Sequence, residues 1–524
     1  MSTPATVTWL AGHELKLGWR DWLSMMTAGR RNRMRTVAIA LVVFVVFMHL
    51  LAWSMVGGYA ATPVDATKAQ LVAVTGTLLL SFSLLLSQAM ESVTRAFYTR
   101  ADLDLILTSP VPQQKVFAVR IARIAAAVSA VALFLASPFI NMLAILGGAR
   151  WLAAYGVVAS MGMVAAALAV ALTVALFRLI GPKRTRLIAQ IVAAVIGAAF
   201  VIGLQVAAIL SYGSLSRFAP LQSEWLIVHA PDAASAMWLA ARAALGNLGA
   251  LAAVMAAGLA LLAGAIAVFS RRFGDHVIAA AGVLQATVRQ RARSFRRVSA
   301  AHALRRKEWT LLLRDPWLVS QTLMQILYLL PPALLLWKSF HDGAGSFVLL
   351  VPVLVMAAGQ LGGGFAWLSI SGEDAPDLVA SAPISARRII WAKIEAGMET
   401  IAIVFAPFVL ALGFASAHAA IVAGLGVLVA AGASTLVQLC FRTQARRSQF
   451  RRRQVSSRIA TFAEAFSSIA WAATAALAAI GTFVAVAPAL IALGILFGVW
   501  LLTPPSPAAS SSAAARPKAR PPSG

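Results

Sequence analysis

Residues 101–112 read ADLDLILTSPVP and lie between two long apolar runs, at 69–93 and 119–146. Each run is longer than the roughly 20 residues that a helix needs to cross the hydrocarbon core of a bilayer. The stretch between them starts with two aspartates among large aliphatic residues. Pro110 and Pro112 then end any helix, because proline lacks a backbone N–H and restricts the residue before it. The pattern predicts a short, stiff, amphipathic segment that joins two membrane spans.

The composition is that of a membrane protein. Of the 524 residues, 60% are hydrophobic and 12% are charged, and the mean hydropathy is +0.83. A soluble domain is nearer half apolar and a quarter charged. Apolar runs of spanning length recur twelve times, at 36–57, 69–93, 119–146, 151–180, 187–212, 243–270, 320–340, 345–370, 389–416, 418–441, 459–484 and 486–503. The predicted fold class is therefore all-α: a polytopic membrane protein with about twelve transmembrane helices.

The distribution of charge predicts the orientation of these spans. The chain has 44 Lys and Arg against 18 Asp and Glu, a formal net charge of +26. If both termini are cytoplasmic, the basic residues left in outside segments are Lys68, Arg150, Arg217, Arg242 and Lys338. Basic loops stay on the cytoplasmic side of a membrane. The distribution therefore predicts that both termini are cytoplasmic. Topology explains the positive charge, and we expect no nucleic-acid partner.

Motifs for catalysis and metal binding are absent from the sequence. The single cysteine, Cys440, cannot form a disulfide framework or a thiolate metal cluster, and the seven histidines are scattered. No G-x-x-x-x-G-K-[ST] phosphate loop and no H-E-x-x-H metal motif occurs. We expect no catalytic residue, no metal site and no cofactor bound by this chain, and hence no enzymatic activity of its own.

An internal repeat links the segment at 101–112 to a second one. DLILTSPV at 104–111 aligns without a gap with DLVASAPI at 377–384, so that position 104 falls on position 377. Further along, the same alignment places Arg120 on Lys393. Repeats at this scale indicate a duplicated structural unit.

A second motif precedes each copy of the first. ELKLGWRDW at 14–22 resembles EWTLLLRDPW at 308–317, so that Glu14, Arg20 and Asp21 match Glu308, Arg314 and Asp315. Tryptophan and leucine at helical spacing in both stretches predict an amphipathic helix that lies on the membrane surface. We expect two parallel six-span repeats, each preceded by such a helix: residues 1–272 and 273–503. A disordered, cytoplasmic Pro/Ala/Ser-rich tail follows at 504–524.

Residues 101–112 and 372–385 each end in or near prolines, and we call them the proline-stopped segments. They carry acidic residues, whereas the neighbouring loops are basic. The first has Asp102 and Asp104, and the second has Glu373, Asp374 and Asp377. One interpretation is that these residues cap helices and turns in ordinary loops. The duplication favours a second interpretation, that they form a docking surface for a symmetric soluble partner.

Together, these pieces resemble the membrane (permease) subunit of a type-2 ABC exporter. The residues that carry the resemblance are Lys307-Glu308-Trp309 with Arg314-Asp315-Pro316, DLDLIL at 102–107 and SPVP at 109–112. In that family a surface elbow helix precedes the first span, and a short coupling helix between the second and third spans docks on the ATPase. The order of surface helices, spans and short connecting segments resembles this family over most of the chain. This chain departs from the common six-span form because both halves are fused in one polypeptide, which leaves further homodimerisation open.

The resemblance implies a function and a set of contacts. Two copies of a P-loop ATPase would bind on the cytoplasmic side and hold ATP and Mg²⁺, and the chain would export a hydrophobic or amphipathic substrate across a bacterial inner membrane. The elbow-helix residues would be Glu14, Arg20, Asp21, Glu308, Arg314 and Asp315. The ATPase-coupling contacts would be Asp102, Asp104, Leu105, Pro110, Glu373, Asp374, Asp377, Leu378 and Pro383.

Two other functions remain open at the level of sequence. Glu91, Glu395 and Glu399 lie within or at the ends of predicted spans, and Glu464 opens the eleventh. Because acids inside a membrane are costly, they often serve transport, and a proton-coupled secondary carrier would use them. A membrane scaffold without transport activity is the third possibility.

Overall fold

A computed structural model describes most of the chain. The described residues are 6–27, 34–58, 60–63, 66–98, 112–212, 220–282, 299–314, 350–371, 381–441 and 458–501, with isolated positions at 322–324, 326–327, 330–331, 334 and 379. Within these ranges the regular structure consists of α-helices and short 3₁₀ turns, with no strand. The chain divides into two compact units, Met1–Phe295 with Val319–Pro331, and Arg296–Leu318 with Pro332–Gly524.

The first unit contains eight α-helices among its described residues. They are α1 (Val7–Thr27), α2 (Met34–Val56), α3 (Lys68–Tyr98), α4 (Gln113–Gly147), α5 (Ala153–Tyr212), α6 (Glu224–His229), α7 (Leu239–Ala244) and α8 (Leu248–Gly282). The second unit contains α9 (Ala300–Arg314), α10 (Leu350–Ser371), α11 (Ala386–Ala415), α12 (Ala417–Phe441), α13 (Arg458–Ala479) and α14 (Val486–Leu501).

Ten helical stretches in the described residues are long and apolar enough to cross a membrane. They coincide with ten of the twelve predicted spans, so the expectation of an all-helical, membrane-embedded protein is confirmed. The predicted first span corresponds to α2, in which Leu41–Val56 forms a shorter apolar helix. The predicted seventh, at 320–340, lies mostly outside the described residues, as does the tail at 504–524. The twelve-span count therefore stays a prediction.

A glycine separates two of the spans inside α5. Gly181 has φ 74° and ψ 166°, a conformation open almost only to glycine, and Pro182 follows it. The bend separates the spans Ala149–Gly181 and Leu187–Ile209, the first of which begins just before α5. It lies between the apolar runs that the sequence predicted at 151–180 and 187–212.

The first unit packs around α3 and α5. Met90 on α3 and Phe117 and Ile121 on α4 are among the largest fully buried side chains. They belong to an apolar core that also includes alanines of both halves of α5. Since lipid is as apolar as leucine, such contacts stabilise through close van der Waals packing.

The second unit packs around α10, which is the most buried of the ten spans. Glycines permit this burial. A methyl group at Gly362 would lie 2.8 Å from the carbonyl oxygen of Ala431 on α12. Methyl groups at Gly359 and Gly363 would collide with Ser468 and Glu464 on α13. The small residues therefore let the backbone of α10 approach both neighbouring helices, as is typical of helix pairs in membranes.

Candidate functional site

The helices that follow the two proline-stopped segments begin at matching positions. In the first unit Pro112 precedes α4, which begins at Gln113. In the second unit Ser385 precedes α11, which begins at Ala386. The alignment that places position 104 on position 377 also places Gln113 on Ala386. The two helix starts agree with the alignment, and the six-span repeat stays a prediction.

Most residues of the predicted coupling contact lie outside the described ranges. They are Asp102, Asp104, Leu105, Pro110, Glu373, Asp374, Asp377 and Leu378. Pro383 is described and is exposed in a bend just before α11. Pro112, which immediately precedes α4, is also exposed. The roles of these residues stay predictions.

The surface helix α9 is joined to α11 through a buried carboxylate. Glu308 is 1% exposed, and its Oε1 accepts hydrogen bonds from the Nζ of Lys393 at 3.0 Å and of Lys307 at 3.2 Å. Lys393 lies about two turns into α11, and its side chain is 11% exposed. Its ammonium also donates to the carbonyl oxygen of Ser369 on α10. One buried ion pair thus connects α9, α10 and α11.

Two more polar contacts join the same two helices. The Nε of Arg305 lies 3.1 Å from Glu395 Oε2, and the Nε1 of Trp309 donates to Glu399 Oε2 at 2.9 Å. Positions 305, 308 and 309 share one face of α9, because residues three and four apart are neighbours on a helix. We call the six residues Arg305, Glu308, Trp309, Lys393, Glu395 and Glu399 the α9–α11 seam.

The amphipathic pattern of α9 explains why Glu308 is buried. Leu304 and Leu312, each four residues from Glu308, are also buried. The glutamate therefore occupies the centre of an apolar stripe. A buried carboxylate without a partner would be strongly destabilising, so Lys393 is needed to neutralise it.

The first unit has a similar junction between its surface helix and the helix after the segment. Glu14 on α1 forms an ion pair with Arg123 on α4, about three turns from the start of that helix. Both side chains are partly buried. Trp9, Leu15 and Trp19 are exposed on α1, as expected for a helix that faces lipid headgroups.

No family model matches the sequence, and no curated protein or solved structure matches it. Evidence for a function therefore comes from the geometry of the two junctions and from the pattern of the sequence.

The remaining residues of the predicted elbow helices, and Glu91, are not among the described contacts of either junction. Arg20 is exposed on α1. The backbones of Asp21 and Arg314 belong to α1 and α9, but their side chains and the whole of Asp315 fall outside what the structure describes. Glu91 pairs with Arg95 one turn later on α3, and both are exposed. No group of three or more acids, histidines or cysteines suited to a metal occurs in the described ranges.

The partners of Glu14 and Glu308 were not predicted from the sequence, although the motifs held part of the signal. Glu14 matches Glu308 in one motif, and Arg120 matches Lys393 in the other. The residue that pairs with Glu14 is nevertheless Arg123, three positions further along α4. Spacing could not show that the two motifs meet, because Lys393 stands 85 positions after Glu308.

Because Arg305 and Glu395 are both about half exposed, their contact is expected to contribute little to stability. Arg305→Ala should change the free energy of unfolding by less than about 1 kcal/mol, since solvent screens exposed ion pairs and ordering them costs side-chain entropy. Unfolding by denaturing detergent, measured in mixed micelles, checks this value. A loss several times larger would show that the whole seam acts as one cooperative network.

Proposed function

We propose that the chain is the transmembrane permease subunit of an ATP-driven exporter of the ABC class. It would move a hydrophobic or amphipathic substrate by using ATP that a separate P-loop ATPase hydrolyses. The observation that carries the proposal is a junction that occurs in both units. In each unit an ion pair joins an amphipathic helix to the helix that begins just after a proline-stopped segment.

The junctions give such a segment a mechanical role. A soluble partner that pulls on residues 372–385 moves the start of α11, because the segment leads directly into that helix. The Glu308–Lys393 ion pair then carries the motion to α9 and α10. The Glu14–Arg123 pair does the same for α1 and α4 in the first unit. On this proposal a force on either segment would move several helices together.

The acidic residues predicted on the segments suit a basic partner surface. They lie among loops whose charge is otherwise positive, and charge complementarity gives specificity and speeds association. Two similar segments in one chain would match two copies of the same ATPase. The substrate would contact the apolar interior of the helix units, whose composition does not select one chemical class.

The proposal is tested by reversing the charge of the segments. A full-length chain carrying Asp102→Lys, Asp104→Lys, Glu373→Lys and Asp377→Lys should insert normally but lose co-purification with its P-loop ATPase, by at least about tenfold in bound fraction. The matched control reverses the exposed acids Glu224 and Asp232, which lie in a predicted outside loop. Equal ATPase recovery with the segment variant and the control would refute the coupling role.

The secondary carrier receives less support from the described contacts. Glu395 and Glu399 contact Arg305 and Trp309 of α9, and Glu91 pairs with Arg95. A proton relay would have to break these contacts. Transport driven by a pH gradient in vesicles that lack any ATPase would nevertheless favour the carrier over our proposal.

A further inference from the structure

Glu464 is an acidic residue inside a membrane-spanning helix and has no ion-pair partner among the described residues. Glu464 lies on α13 within the span Ala460–Ala479 and is partly buried. Its Oε2 accepts a hydrogen bond from Gln438 Nε2 of α12 at 2.6 Å. On the other side, Gly363 of α10 leaves room for the carboxyl group, since a methyl group at that position would overlap it.

Buried hydroxyl groups lie on the helix face that carries Glu464 and on α12, which packs against α13. Ser467 and Ser468 follow at three and four residues on the same face of α13, and both are buried. The Ser468 hydroxyl lies 3.4 Å from that of Ser434, and the Thr435 hydroxyl donates to the carbonyl oxygen of Gly362. The Ser467 hydroxyl is fully buried and has no hydrogen-bond partner in the described part of the chain.

The helices packed against α13 offer no described group that would neutralise the carboxylate. α10 and α14 contain no titratable residue. α12 contributes only His418, which contacts Ala478 near the far end of α13, and Cys440, which packs with Ala460 and Ala463. The remaining titratable residue of α13 is Arg458, at its first position, and its side chain falls outside what the structure describes. A carboxylate without a counter-ion is costly within a bilayer, so a bound cation would stabilise Glu464.

Packing alone does not require an acid at this position. In the alignment of the two repeats, Gly363 corresponds to Met90 of α3. Met90 is fully buried in the apolar core of the first unit, next to alanines of α5. A helix crossing of this kind can thus be filled by apolar side chains. In the second unit the same place holds a glycine, a carboxyl group, an amide and several hydroxyls.

From this geometry we infer that Glu464, with Gln438 and Ser467, forms a binding site for one monovalent cation, either a proton or Na⁺. A proton would neutralise the carboxyl group directly and let it donate to a neighbouring oxygen. Na⁺ would use the carboxylate, hydroxyl and amide oxygens, which are the ligands that hard cations prefer. The inference does not depend on coupling to an ATPase.

Infrared difference spectroscopy on the full-length protein in lipid nanodiscs tests the site. The spectrum of the unchanged chain minus that of Glu464→Gln isolates this carboxyl group, and spectra are taken at several pH values in choline buffer and in Na⁺ buffer. A protonated carboxyl band assigns the site to a proton. An ionised band that shifts when Na⁺ replaces choline assigns it to the metal ion. An ionised band that is unaffected by Na⁺ would overturn the inference.

A matched pair of glycine variants links the signal to this pocket. Gly363→Ala places a methyl group where the carboxyl group lies, whereas the same change at Gly364 meets no atom within 4 Å. A hydrophobic carbodiimide, which labels protonated carboxyl groups in membranes, gives a second readout by mass spectrometry. Labelling or Na⁺ protection at Glu464 should be lost in Gly363→Ala and retained in Gly364→Ala. Identical behaviour of the two variants would contradict the assigned pocket.

Discussion

Replacing Glu308 with alanine is expected to destabilise the second unit by about 3–5 kcal/mol. The change removes the carboxylate that Lys393 and Lys307 share and leaves the buried Lys393 ammonium without its counter-ion. The measurement is unfolding by denaturing detergent in mixed micelles, compared with the small loss expected for Arg305→Ala. Protease susceptibility of α9 should rise in parallel, because α9 loses its buried contact with α11.

A second variant separates loss of the charge pair from loss of packing. Glu308→Leu combined with Lys393→Met removes both charges and keeps apolar volume, so it should recover most of the stability lost in Glu308→Ala. If the double variant is as unstable as Glu308→Ala, the unpaired charge of Lys393 is not the cause of the instability. Glu308 then stabilises the unit through a further partner. If Glu308→Ala is itself harmless, the junction does not hold α9 in place and the mechanical argument fails.

The second large effect is expected from Gly362→Ala, at about 1–3 kcal/mol of destabilisation. The added methyl group would meet the carbonyl oxygen, Cα and carbonyl carbon of Ala431 at 2.8, 2.9 and 3.2 Å. These are backbone atoms of α12, so the clash can be relieved only by moving the helices apart. The loss of contact between α10 and α12 is then measured by the same detergent titration.

Gly364→Ala is the matched control for this prediction. It lies two residues away on α10, and a methyl group there meets nothing within 4 Å. Because alanine favours the helix more than glycine does, this variant should be neutral or slightly more stable. Comparable destabilisation by both variants would mean that α10 is sensitive to any substitution, and the close approach to α12 would lose its special role.

Local properties of the chain predicted the membrane helices. Length and apolar content can be judged within a single span, and ten spans appear where the apolar runs indicated. The alignment of the two proline-stopped segments agrees with the structure at one point, since it places the first residue of α4 on the first residue of α11. The amphipathic helices α1 and α9 follow from the periodicity of leucine and tryptophan.

The contacts that carry the functional argument could not be predicted from those properties. Glu395 and Glu399 were interpreted as acids that a proton-coupled carrier could use. In the structure they contact Arg305 and Trp309 of α9. Glu464 was grouped with them, although it contacts Gln438 of α12 and shares a helix face with the buried Ser467 and Ser468. Whether an acid in a span is paired or alone depends on side chains far away along the chain.

The apolar helices can be predicted from consecutive residues, because transfer of a helix into lipid depends on the summed hydropathy of about 20 positions. The contacts of Glu308 with Lys393 and of Gly363 with Glu464 are visible only in the folded protein. Ion pairs and close helix crossings act over a few ångströms. Their partners are set by how distant helices pack, which no local pattern records.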